Sequence, residues 1–189
     1  IDTTAVPGMG RLFAHASQGV YLQQMNAAVR VASVESDSGD VSLSVFDSVV
    51  QGEDVYLLSP SGSGPIAADS QTLTGQAITV GRVTATAGSV TIAAGDNLFL
   101  EADTLVKAGV AVTIRGDAAA SDPDPDNGTT IDVRGDVQAP QVTIAGGDDL
   151  DFLQISRPGG INAAGTTVLE GHAADDRFFI QTVAGTMTA

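Results

Sequence analysis

Nearly all the side chains of this chain that could do chemistry are aspartates. Nineteen of its 23 acidic residues are Asp and four are Glu, set against one lysine, Lys107, and seven arginines. Grouped carboxylate oxygens suit a hard cation, calcium above all. Three stretches group them: Asp122, Asp124 and Asp126; then Asp148, Asp149 and Asp151; then Asp175 and Asp176. These eight residues are the candidate metal ligands, with calcium as the candidate cofactor. Nucleophilic and acid–base chemistry finds much less to work with. There is no cysteine, and the two histidines, His15 and His172, lie far apart in sequence. Ser61-Gly62-Ser63-Gly64 lacks the residue order of a nucleophile elbow and has no acid–base partner beside it. No catalytic residues are assigned, and the expectation is a protein that is not an enzyme.

Composition narrows the function further. The chain has 189 residues and a formal net charge of -15, so most of its surface repels phosphate backbones and nucleic acid is not an expected partner. The lack of cysteine excludes a disulfide-stapled miniprotein and a Cys-ligated metal centre. No run of about 18 apolar residues exists, and insertion into a membrane as a helix is not expected. Hydrophobic residues make up 43% of the chain but aromatics only 4%. The core must therefore be built of Val, Ile, Leu and Ala, which argues against an aromatic-rich sugar-binding cleft. The opening IDTTAVPGMG has neither an initiator Met nor the apolar run of a signal peptide, and the chain reads as an interior segment of a longer protein.

The elements that must position the acids are short strands. Val41-Ser42-Leu43-Ser44-Val45 alternates apolar and polar, and Val90-Thr91-Ile92, Val112-Thr113-Ile114, Ile131-Asp132-Val133 and Val142-Thr143-Ile144 repeat the device. Gly, Asp or Pro flanks each of them. Residues 22–29 carry the best helical pattern, and it is weak, so the expected class is all-β. The first apolar positions of the strand triplets fall at Val20, Val41, Val55, Ile78, Val90, Val112, Ile131, Leu150 and Val168, many of them 18 to 23 residues apart. A hairpin sandwich would recur at shorter intervals. The spacing predicts a parallel β-solenoid, a right-handed β-helix with rungs of about 20 residues, in which stacked rungs bury a continuous aliphatic column. An antiparallel sandwich shares the alternation but explains the interval poorly. One solenoid segment covers residues 1–189, with projecting loops at 59–76 and 118–130, where the composition turns polar and rich in Gly and Pro. Val41, Leu43, Val90, Ile92, Val112, Ile114, Ile131, Val133, Val142 and Ile144 are expected to point inward.

Passages such as SVTIAAGDNLFL, GVAVTIRGD and QVTIAGGDDLDFLQI within residues 87–155, with SQGVYLQQMNAAVRVASVESDSGDVSLSV at 17–45, resemble the repetitive regions of giant bacterial exoproteins and adhesins of the filamentous-haemagglutinin-like and repeats-in-toxin-associated kinds. The resemblance covers most of the chain and implies a β-helix, secretion or surface display, a stiff stalk and calcium. In the repeats-in-toxin pattern G-G-x-G-x-D-x-U, U is a large apolar residue. Gly146-Gly147-Asp148-Asp149-Leu150-Asp151-Phe152-Leu153 keeps both leading glycines but has Asp149 in place of the third. Gly171-His172-Ala173-Ala174-Asp175-Asp176-Arg177-Phe178 keeps the first glycine, Asp176 and Phe178. The two copies start 25 residues apart, whereas a complete calcium roll requires tandem copies. Asp122-Pro123-Asp124-Pro125-Asp126-Asn127-Gly128 resembles the opening of an EF-hand loop, with Asn127 at the usual glycine and Val133 at the usual closing Glu.

Arg115-Gly116-Asp117 and Arg134-Gly135-Asp136 duplicate an integrin-type tripeptide, but each directly follows a strand, where Gly-Asp turns a corner. Together these features point to a non-enzymatic structural module of a secreted or surface-displayed bacterial protein: a rigid stalk of an adhesin, or a subunit of an extracellular fibre. Its expected partners are adjacent segments of the same protein or other copies of itself, with a cell-surface receptor or glycan as a further partner, and its expected location is extracellular or at the bacterial cell surface. The alternative function is a calcium-dependent glycan-binding or polysaccharide-cleaving β-helix.

Overall fold

The computed structural model describes residues 10–25, 27–49, 51–60, 79–118 and 127–188, with the backbone alone of 72–73 and 76–77. The described residues contain no helix. Sixteen strands form one sheet that does not close, and every pairing within it is parallel. The weak helical pattern of residues 22–29 gives way to strand at both ends, where Val20 and Val29 each begin one.

The chain visits three ladders in rotation. The first stacks β1 (Leu12–Ala16), the later half of β3 (Val29–Ser36), β8 (Arg82–Ala85), β11 (Leu105–Ala108) and the opening parts of β14 (Asp136–Ala145), β16 (Gly160–Glu170) and β18 (Val183–Thr188). In the second lie β2 (Val20–Gln24), β4 (Val41–Val45), β9 (Val90–Ala93), β12 (Ala111–Arg115) and the closing parts of β14, β16 and β18. The third holds the start of β3, then β5 (Val55–Leu57), β10 (Leu98–Leu100), β13 (Thr130–Val133), β15 (Phe152–Ile155) and β17 (Arg177–Ile180). Two-residue strands β6 (Thr72–Leu73) and β7 (Gln76–Ala77) form a separate antiparallel pair. This all-β, parallel arrangement is compatible with a β-solenoid.

Alternation within each strand decides what is buried. In the second ladder Val41, Val90, Val112 and Val142 are register partners, as are Leu43, Ile92, Ile114 and Ile144. All ten residues expected to point inward are buried. Their β-branched side chains suit the pleat and stack on like neighbours, so each column is dry and continuous without any large ring. Partners lie 22 residues apart from Val90 to Val112 and from Ile131 to Leu153, but 49 apart from Val41 to Val90, where residues 59–76 intervene. Most of 59–76 and 118–130 lies outside the described residues; Thr130 opens β13.

Two of the triplet positions used to read the interval do not point inward. Leu150 is 52% exposed, and Val168 is half-buried. The corner Gly146-Gly147-Asp148-Asp149 takes up Leu150 as well, so Leu153 and Ile155 enter the core instead. In β16 a register shift against β14 brings Thr167 and Leu169 inward opposite Val142 and Ile144. A polar Thr thus occupies a Val column, where a search for apolar alternation passes over it. Ile78 lies outside the described residues.

Candidate functional site

Among the described residues, Asp148, Asp149, Asp151, Asp175 and Asp176 lie where the chain turns from the second ladder into the third. Register places Glu53, Asp96, Thr129, Asp151 and Asp176 in one column, each two residues before the register partners Val55, Leu98, Ile131, Leu153 and Phe178, of which the first four are buried. At this bend side chains add to main-chain bonds between turns, such as those from the Phe152 amide to the Thr129 carbonyl and from the Arg177 amide to the Asp151 carbonyl, both 2.9 Å. Asp96 Oδ2 accepts the amide of Glu53 at 2.8 Å and that of Gly52. Asp151 Oδ1 accepts the Thr129 amide at 2.8 Å, and Asp176 Oδ1 accepts the Asp151 amide at 3.0 Å. The Thr129 hydroxyl donates to the Asp96 carbonyl. One column outward the same device recurs, with Asp54 accepting from Asn97 and Asn97 Oδ1 accepting from the Thr130 amide. Asp96, Asp151 and Asp176 each cap the corner of the preceding turn, and Asp54 that of the following one, with charge-assisted bonds.

Asp151 is fully buried, and its Oδ2 has no hydrogen-bond partner. Burial pushes its pKa up from 3.8 to about 6, helped by the charges of Asp176 and Asp117 and opposed by the amides of Thr129 and Gly147. The leading glycines of the motifs make room for these carboxylates. A Cβ at Gly146 would overlap Asp151 Oδ2, one at Gly147 would overlap Asp117 Oδ2, and one at Gly171 would overlap Asp176 Oδ2. Of the other candidate ligands, Asp148 and Asp175 are exposed, Asp149 and Asp176 are half-buried, and Asp122, Asp124 and Asp126 lie outside the described residues. Among the described residues no three His, Cys, Asp or Glu side chains form a group that could hold a metal ion.

The Arg-Gly-Asp copies do not project alike. Asp117 is buried in the acidic corner. Arg134 turns back to Asp132 at 2.6 Å, and Asp136 opens β14 on the surface.

Two features escape a sequence reading. The few aromatics concentrate on the third ladder, which carries Tyr56, Phe99, Phe152, Phe178 and Phe179. Tyr56 stacks on Phe99 with centroids 5.0 Å apart, Arg30 lies over the Tyr56 ring, and the Tyr56 hydroxyl donates to Asp54 at 2.8 Å. Burial and then Asp54 push the Tyr56 pKa up to about 12, against the pull of Arg30. Both faces of the Tyr56 ring are occupied within the protein, so this stack is a brace and offers that ring to no ligand. The second feature is a cleft of about 400 Å³ where the third ladder turns into the first, lined among others by Gly81, Arg82, Asp103, Asp136, Gln138 and Gly159. Its only trace in the sequence is a glycine just before three first-ladder strands: Gly81, Gly135 and Gly159.

No family model, curated protein or solved structure matches this chain.

Proposed function

We propose that this chain is a right-handed parallel β-solenoid segment, with rungs of twenty-odd residues where no loop intervenes, and that it works as a rigid structural rod. The observation that supports this reading best is the unbroken register of the inward columns. Leu43, Ile92, Ile114, Ile144 and Leu169 follow one another across five turns, with main-chain bonds passed from each turn to the next. Seven strand positions in the second ladder give a length of roughly 30 Å at the usual strand spacing of about 4.8 Å. Such a body resists bending because every turn is hydrogen-bonded to its neighbours.

The resemblance to adhesin and exoprotein repeats extends the proposal to a stalk or fibre subunit in a secreted or surface-displayed bacterial protein. Among the described residues β17 pairs only with β15, and β18 only with β16. Their outer edges can accept a further strand from an adjacent segment or another copy. Small-angle scattering from the chain and from a tandem fusion of two copies tests the rod. The fusion should double the length at constant cross-section. A fusion that compacts into a body of larger cross-section would end the proposal.

A further inference from the structure

The cleft between the third and first ladders lies at a corner where stacked turns approach too closely for side chains at its glycines. A Cβ on Gly159 would collide with the carbonyls of Arg134 and Gly135, and one on Gly135 would collide with Thr104. The backbone of the floor is already paired: the Leu105 amide donates to the Gly81 carbonyl at 2.7 Å, Asp136 to Thr104 at 2.8 Å and Gly160 to Gly135 at 3.1 Å. The free hydrogen-bonding capacity sits on the rim. Arg82, Leu105, Asp136 and Gly160 are successive register partners, so Arg82 and Asp136 stand two ladder steps apart along the corner. Asp103 and Gln138 join them in lining the cleft. Arg82, Asp103 and Asp136 are exposed, and none of the four side chains makes a hydrogen bond or ion pair with another described residue. The acids of the other corner, by contrast, are committed to the fold.

The chemistry of the rim selects its ligand. Arg82 only donates, the two carboxylates only accept, and Gln138 does both. Two carboxylates in a chain of net charge -15 repel uronates, sulfates and phosphates. The guanidinium in the same cleft disfavours a bare metal ion. What remains is a neutral ligand whose groups each donate and accept, as sugar hydroxyls do. Pro60 and Pro158 also line the cleft and add apolar surface for the C–H faces of a sugar ring. A volume of about 400 Å³ falls within the range of small-ligand clefts.

We infer that this cleft is a binding site for a neutral glycan, lying along the corner with its hydroxyls shared among Arg82, Asp103, Asp136 and Gln138. The site does not depend on the chain serving as a stalk, and its test is separate from the scattering measurement. Isothermal titration of the full chain with cellotetraose, maltotetraose and mannotetraose, and with tetragalacturonate as the charged control, decides it. At least one neutral tetrasaccharide should bind while tetragalacturonate does not. Arg82→Ala and Asp136→Asn should each weaken binding roughly tenfold or more, the usual loss for a charged hydrogen bond. Arg115→Ala, at the exposed end of the second ladder, should change nothing. In the unmodified protein, amide NMR shifts at Gly81, Gly135 and Gly159 should move on titration, which locates the ligand without any variant. Failure of all three neutral sugars, equal binding by the two rim variants, or preference for tetragalacturonate would each overturn the assignment.

Discussion

Asp151 gives up solvent on both carboxylate oxygens and gains a hydrogen bond on only one. Its pKa of about 6 in the fold, against 3.8 outside it, means that the folded state holds a proton that the unfolded state has released across that interval. This contribution to stability is therefore full below about pH 4 and is lost as pH rises through 6, the reverse of a carboxylate held by a cation. Two pKa units correspond to roughly 2–3 kcal/mol. Asp151→Asn keeps an oxygen for the Thr129 amide and removes the buried charge. Urea unfolding at pH 4.5 and 7.5 should show the variant gaining stability over the parent at the higher pH by about that amount; an equal pH response in both proteins would contradict it. The sequence showed that Asp151 was chemically notable but not what it does, because its partner, Thr129, is 22 residues away and lies within the stretch 118–130 read as a projecting loop. The glycines were legible in the same incomplete way. Gly146 and Gly147 read as a calcium signature, whereas the fold needs them as space for Asp151 and Asp117.

Strands were the most legible elements because inside and outside alternate at a fixed period that needs no knowledge of neighbours. Ile114 and Thr113 are adjacent in β12, yet Ile114 lies between Ile92 and Ile144 in a dry column while Thr113 faces outward between Thr91 and Thr143. Ile114→Asp should cost at least about 4 kcal/mol, combining lost apolar burial with a carboxylate that has no partner. Thr113→Asp should cost about 1 kcal/mol or less. Denaturant midpoints of the two variants check this, and similar losses in both would refute the assignment of faces. Corners were much less legible. Their length varies from turn to turn, and the error at Leu150 came from one corner that carries an extra apolar residue. Thr167 was missed because it fills a core position with the shape of Val and a hydroxyl that alternation reads as surface. A constant rung length was not legible either, since partners lie 22 residues apart in one place and 49 in another.

At the scale of the whole molecule, a net charge of -15 on a narrow stack of strands is self-repulsive. Two effects could relieve it, and they differ in how they respond to ions. Screening acts on exposed carboxylates such as Asp103, Asp136, Asp148 and Asp175 and depends only on ionic strength. Site binding at the stretches proposed for calcium depends on the ion itself and stabilises the folded state by mass action. Asp151 and Asp176 are committed to the fold, because their Oδ1 atoms already hold backbone amides. The calcium proposal then depends on the other candidate ligands, Asp148, Asp149, Asp175, Asp122, Asp124 and Asp126. Melting temperature in millimolar calcium, compared with sodium chloride at matched ionic strength, separates the two effects. Under the calcium proposal, calcium raises it further than sodium and EDTA reverses the gain. Alanine at Asp122, Asp124 and Asp126 together should then abolish the difference if that stretch is the site, and alanine at Asp148 and Asp149 should do so if the glycine-led corner is. Equal responses to calcium and sodium would remove calcium from the proposal and leave the acids as caps within the fold and screened charge outside it.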